Sequence, residues 1–172
     1  MIRFCDVFFS LLGLIVLSPI FVIIALCIVL DSRGGVFYRQ VRVGRDGKDF
    51  RLFKFRSMAS GADKKGLITV GAKDSRVTRV GYFLRKYKLD ELPQLLNVVR
   101  GEMSLVGPRP EVRKYVDMYT VEQRKVLAVA PGITDYASIE YADENTILGQ
   151  ASDPDRAYVE QIMPDKIRYN MK

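Results

Sequence analysis

Asp90 and Glu91 stand side by side in Leu89-Asp90-Glu91-Leu92-Pro93-Gln94, and Arg109 is fixed between Pro108 and Pro110. Pro93 is tolerated only in the first turn of a helix, and Leu92, Leu95, Leu96 and Val99 recur at helical spacing around it. Asp90 therefore reads as an N-cap and Glu91 as a first-turn acid. At that place unpaired amides and the helix dipole favour an ionised carboxylate, which is a competent nucleophile; a plain structural cap satisfies the same pattern. A guanidinium held between two prolines suits a phosphate, and a rigid turn with a surface arginine is the bland alternative. The chain has no histidine, which removes histidine-based triads, metal sites and acid–base work and leaves carboxylates, lysine, tyrosine or a metal-bound group for any chemistry.

The elements that must position these groups follow from composition. Residues 36–43 and 50–56 are rich in β-branched and aromatic side chains, and glycines 44 and 47 supply a turn, so a short hairpin is expected. An extended 50–56 places Leu52, Lys54 and Arg56 on one face and Phe53 and Phe55 on the other, projecting two cations together. Residues 60–74 read as a loop, and 77–88 as a basic helix carrying Arg79, Arg85, Lys86 and Lys88. Gly101 ends the helix that follows Pro93. Helical spacing continues over 111–130 with a capping box from Thr120 to Gln123, Pro131-Gly132 breaks it, and Asp153-Pro154 opens a last helix containing Tyr158 and Ile162.

Residues 7–30 contain no charge and would extend about 36 Å as a helix at ~1.5 Å per residue, enough to cross a bilayer. Ser18-Pro19 lies near the middle, where a proline removes a backbone donor and collides with the preceding turn, so a kink is expected. Arg3 precedes the run and Arg33, Arg39, Arg42 and Arg45 follow it, which favours both ends on the cytoplasmic side and so a re-entrant hairpin. A spanning helix in which Ser18 satisfies the freed carbonyls fits equally. Cys5 and Cys27 lie in or beside this segment and read as small packing residues, with neither disulfide nor zinc expected. The chain carries +7, and 1–31 holds one basic and two acidic residues, so the remainder carries +8. That surplus suits anionic partners without choosing among nucleic acid, phosphorylated substrates and acidic lipid.

The apolar anchor with Ser18-Pro19, KFRSM at 54–58, LDELPQLLNVVRGEMSLVGPRP at 89–110 and PGIT at 131–134 together resemble the monotopic phosphoglycosyl transferases, the bacterial sugar transferase family. The resemblance implies an α/β, mainly helical fold: a re-entrant helix-break-helix anchor at 1–32, broken at Ser18 and Pro19, then a cytoplasmic catalytic domain at 33–172 resting on the inner-membrane surface. It implies that Asp90 attacks the sugar-bearing phosphate of a UDP-sugar, with Glu91 as partner acid, and that polyprenyl phosphate then accepts the phosphosugar. It also implies phosphate contacts from Lys54, Arg85 and Arg109, and Mg2+ held by Asp90, which would relieve repulsion between an anionic nucleophile and an anionic electrophile. The run after PGIT departs from the family pattern: Asp135-Tyr136-Ala137-Ser138-Ile139-Glu140-Tyr141 replaces a glycine and an arginine-containing run, which bears on sugar choice more than on chemistry. The chain also ends at Lys172, earlier than that pattern, so a short or truncated C-terminal contact with the membrane or a partner is expected.

Two other functions compete. A nonenzymatic membrane adaptor with a basic lipid- or partner-binding surface would not need Asp90. A tethered nucleic-acid binder is suggested by charge alone and lacks a recognition helix, zinc spacing or aromatic RNA-binding signature, so no nucleic acid is expected. A homo-oligomer is left open.

Overall fold

The computed structural model describes residues 1–62, 74–141 and 143–171. Most of the loop expected over 60–74 lies outside them. Helix α1 (Ile2–Asp31) is followed by an antiparallel hairpin, β1 (Phe37–Val43) and β2 (Asp49–Phe55), in which Phe37 pairs with Phe55 and Val43 with Asp49. Helix α2 (Arg79–Lys86) leads through a 3-10 turn at Leu89–Glu91 into α3 (Gln94–Arg100). Strand β3 (Ser104–Val106) pairs in parallel with β4 (Gly132–Thr134), a second sheet that short, non-alternating runs gave no sign of. Between them lie α4 (Arg113–Val116) and a 3-10 turn at Gln123–Ala128, less helix than the 111–130 spacing implies. The capping box is present: Thr120 N–H donates to Gln123 Oε1 at 2.8 Å, and Gln123 N–H to Thr120 Oγ1 at 3.2 Å. The chain ends in α5 (Tyr136–Glu140), α6 (Glu144–Gln150), α7 (Pro154–Ala157) capped by Asp153, a π-helical turn and α8 (Met163–Asn170).

The anchor departs from the expected helix-break-helix, because α1 is helical from end to end with Pro19 inside it. Proline removes the donor that would meet the carbonyl four residues back. Ser18 Oγ donates to that carbonyl, Ile15 O, at 2.8 Å, so the vacancy in the ladder is filled locally. One stripe of α1 faces the domain: Asp6, Ser10, Ile24 and Ile28 are buried, and a Cβ on Gly13 would stand 3.3 Å from Leu95 Cδ1. The rest of its surface, including Phe8, Leu12, Ile15, Val22, Ile23 and Leu26, is exposed apolar side chain.

Both ends of α1 are tied to the same domain. At its start, Arg3 donates to Val99 O and Met103 O, and Asp6 accepts from Ser104 Oγ at 2.7 Å and from Leu105 N at 3.2 Å. At its end, Asp31 accepts from Val80 N at 3.0 Å, and the Arg56 guanidinium donates to Ser32 O and Arg33 O at 2.7 and 2.6 Å. Arg56 therefore stitches the loop after α1 while lining the same cleft as Lys54. Ile24, Ile28, Phe55 and Leu84 form the small core that joins anchor, hairpin and α2. Helix α2 sits so close to the hairpin that a Cβ at Gly81 would stand 1.9 Å from Ser57 O, a position only glycine can fill.

Candidate active site

The two acids are set by the turn before α3. Lys88 adopts a left-handed backbone with φ 57°, which reverses the chain after α2, and Leu89 packs against the core beneath α1. Asp90 then falls in the 3-10 turn and not at the helix N-cap, where Pro93 stands without a side-chain cap. The nearby amides of Glu91 and Leu92 are satisfied by Lys88 O and Leu89 O, so the expected stabilisation by orphan helix amides is absent here.

Different environments separate the neighbouring carboxylates. Glu91 Oε1 accepts from Lys54 Nζ at 3.0 Å, and the Arg109 guanidinium grips both oxygens, with Nη1 3.1 Å from Oε2. Burial would raise its affinity for protons, but Lys54 and Arg109 outweigh burial and hold the carboxyl well below the usual carboxylate range. Asp90 is 5% exposed, and its carboxylate accepts no hydrogen bond among the described residues. Burial shifts it upward against the fields of Lys54, Arg85 and Arg109, making it the more basic acid of the two.

Each cation is positioned from elsewhere. Lys54 is carried on β2, whose Phe53 N–H donates to Asn97 Oδ1 at 2.9 Å while Asn97 Nδ2 donates to Arg51 O and Glu102. Asn97 is fully buried and clips the hairpin to α3. Burial lowers the Lys54 ammonium and Glu91 opposes that shift. Arg109 lies on a rigid segment whose backbone N–H donates to Asp135 Oδ2 at 3.1 Å; Asp135 also caps α5 through Ser138 N and accepts from Asn170 Nδ2. Arg85, on the last turn of α2, has no ion-pair partner among the described residues. Asn97 and Asp135 were missed in the sequence: Asn97 could have been found as a polar residue among the leucines and valines of α3, and Asp135 as an Asx cap three residues before Ser138.

All five groups line one cleft of about 1000 Å³, together with Arg42, Glu111, Tyr158, Glu144 and Lys166. Beyond Arg109, Arg42 Nη1 donates to Glu111 Oε1 at 3.1 Å and Tyr158 Oη to Glu111 Oε2, which ties β1 to the C-terminal helices. Eight cationic and five anionic side chains line the cleft, a balance suited to a ligand with several negative charges. Among the described residues no group of three or more His, Cys, Asp or Glu could hold a metal.

The family model for bacterial sugar transferases matches residues 1–165. The chain belongs to that family. It is 42% identical over 120 residues to a putative undecaprenyl-phosphate N-acetylgalactosaminyl 1-phosphate transferase of Bacillus subtilis, covering 70% of this chain and 67% of the relative. It is 39% identical over 156 residues to a UDP-N-acetylgalactosamine-undecaprenyl-phosphate N-acetylgalactosaminephosphotransferase of Aeromonas hydrophila, covering 89% and 35%. It is 45% identical over 140 residues to a UDP-glucose:undecaprenyl-phosphate glucose-1-phosphate transferase of Klebsiella pneumoniae, covering 80% and 30%. The chain thus spans about a third of the length of the Aeromonas and Klebsiella relatives.

Proposed function

We propose that this bacterial sugar transferase moves a sugar phosphate from a UDP-sugar to undecaprenyl phosphate in two displacements at Asp90. One observation carries the assignment: of two adjacent acids in a cationic cleft, Glu91 has both oxygens engaged by Lys54 and Arg109, while the Asp90 carboxylate is unbonded among the described residues. An Asp90 oxygen attacks the phosphorus that bears the sugar, the bond from that phosphorus to the bridging oxygen breaks, and UMP leaves with the bonding pair. A polyprenyl phosphate oxygen then attacks the same phosphorus and Asp90 departs as carboxylate, giving polyprenyl diphosphate sugar. Both steps need positioned positive charge more than proton transfer, and Arg85, Lys54 and Arg109 supply it. Glu91 acts as a positioning residue that aims two of those cations.

Magnesium fits this donor set in one form. It binds through one or two carboxylates and completes its shell with water and substrate phosphates, and Asp90 offers such a carboxylate while Glu91 is occupied. The ion would neutralise diphosphate charge, held by Asp90 and by the donor. The anchor (1–32) and the catalytic domain (33–172) act as one unit on the cytoplasmic face of the bacterial plasma membrane. Ties at both ends of α1 to one domain support an anchor that enters the bilayer without crossing it. Exposed Tyr82 and Phe83 on the basic helix α2, with Tyr87 at its C-cap, suit the lipid headgroup layer.

The test is a panel of UDP-sugars with magnesium and no acceptor. We expect one UMP per enzyme and a phosphosugar mass increment on the peptide bearing Asp90, both absent in Asp90→Asn. Retained turnover in that variant would sink the assignment. Cysteine labels at residues 2 and 45 should both react from the cytoplasmic side; opposite sides would replace the proposed anchor with a spanning one.

A further inference from the structure

Part of the cleft lining is aliphatic and is carried by elements fastened to α1. Leu92 and Leu95 lie three residues apart around the start of α3 and both line the cleft; Leu95 also touches α1, since its Cδ1 is 3.3 Å from where a Cβ on Gly13 would stand. Val106 belongs to the same strand face as Ser104, whose hydroxyl donates to Asp6 of α1 at 2.7 Å. Val106 is 65% exposed and Ile139, on α5, is 70% exposed, and both line the same cleft. Single exposed aliphatic residues are ordinary on a protein surface. Four that share one cleft, two half-buried and two exposed, with two of their elements fastened to an apolar helix and three cations in the same lining, offer hydrocarbon and phosphate contacts within one site.

We infer that Leu92, Leu95, Val106 and Ile139 form the track along which the first isoprene units of the polyprenyl phosphate acceptor lie, leading its phosphate from the anchor to Asp90. This rests on the transfer reaction proposed above and adds the acceptor's route. An acceptor whose tail stays in lipid must present its phosphate to a nucleophile buried in the domain. An apolar wall continuous with the anchor lets the tail leave the bilayer without exposing its hydrocarbon to water. The lining suits both halves of the ligand, with aliphatic side chains on α3 and β3, which are fastened to α1, and Arg109, Lys54 and Arg85 in the same cleft for the phosphate.

The experiment uses the full chain in detergent micelles, so that loss of membrane docking does not mask acceptor binding. Because Val106 and Ile139 are largely exposed, Val106→Asn with Ile139→Asn leaves the core intact. We expect the KM for undecaprenyl phosphate to rise about tenfold, UMP release from donor alone to stay within twofold of wild type, and Val106→Leu with Ile139→Leu to restore the acceptor KM. An unchanged acceptor KM overturns the track. An equal loss in the donor half-reaction also overturns it and assigns the wall to the nucleotide or sugar instead. Absence of UMP release by the wild-type chain defeats the transfer reaction itself, and the separate donor assay tells these failures apart.

Discussion

Replacing Asp90 by Asn or Glu91 by Gln removes one negative charge from neighbouring positions, and the two substitutions are expected to move stability in opposite directions. Glu91 is the shared counter-ion of Lys54 and Arg109, with the three side chains 12%, 17% and 34% exposed. Removing one partner of a fully buried pair destabilises by about 3–5 kcal/mol. Solvent reaches a third of Arg109, and glutamine keeps an acceptor, so about 2 kcal/mol is the working figure here. At ~2–4 °C per kcal/mol for a chain of this size, Glu91→Gln should lower the unfolding midpoint by roughly 4–8 °C. Asp90 is the reverse case, because burial outweighs its cations and its ionised form is disfavoured in the fold. Asp90→Asn should therefore raise the midpoint by roughly 1–4 °C, from about 0.5–1 kcal/mol, while abolishing UMP release.

The pH dependence follows from the same shifts. The folded value of Glu91 lies below its ordinary 4.5, so its contribution is fully present above pH 4.5 and is lost as pH falls through the depressed value. The folded value of Asp90 lies above its ordinary 3.8, so its penalty is complete above the raised value and vanishes below pH 3.8. The difference for Asp90→Asn should close in acid, whereas that for Glu91→Gln should only narrow down to pH 3, because the Glu91 carboxyl is held well below the usual carboxylate range. Thermal unfolding in detergent between pH 3 and pH 8, run beside UMP release, measures both effects. A midpoint in Asp90→Asn that falls as far as in Glu91→Gln would make Asp90 another structural ion-pair partner and refute the division of labour between the acids.

Arg109→Lys keeps the charge and loses the fork that meets both Glu91 oxygens; UMP release should fall about 30–160-fold, in line with losing one charge-assisted hydrogen bond of roughly 2–3 kcal/mol. A fall below threefold would show that charge alone suffices there. Asn97→Ala leaves the buried Phe53 amide without its acceptor and should destabilise by about 2–3 kcal/mol, with faster hydrogen exchange at Phe53 and Lys54. An unchanged exchange rate would mean that the hairpin does not depend on this clip.

Local chemistry was legible wherever one short segment decides the outcome. The hairpin followed from runs rich in aromatic and β-branched residues about a glycine turn, α2 from its basic run, the end of α3 from Gly101, and the caps at Thr120 and Asp153 from their side chains. The clustering of Lys54, Arg85, Asp90, Glu91 and Arg109 was anticipated only through family resemblance, because their contacts cross 37 residues from Lys54 to Glu91 and 18 from Glu91 to Arg109. Spacing along a chain carries no information at that range. The parallel pairing of β3 with β4 was invisible for the same reason, since three-residue strands have too few positions to show a period. Two local expectations failed through proline. Pro93 sets the start of α3 at itself, leaving Asp90 in the preceding turn, and the gap at Pro19 is closed by a serine hydroxyl, so α1 continues through it.

Fastening α1 at Arg3 and Asp6 and again at Asp31 makes the helix a keel rather than a tether. A domain on a single flexible stalk would sample many heights and tilts above a lipid surface. Here the distance between the greasy flank of α1 and the Asp90 carboxylate is an internal dimension of the molecule, like the depth of a plane's blade. The depth at which the carboxylate sits relative to that flank is therefore set by the fold and not by what surrounds α1.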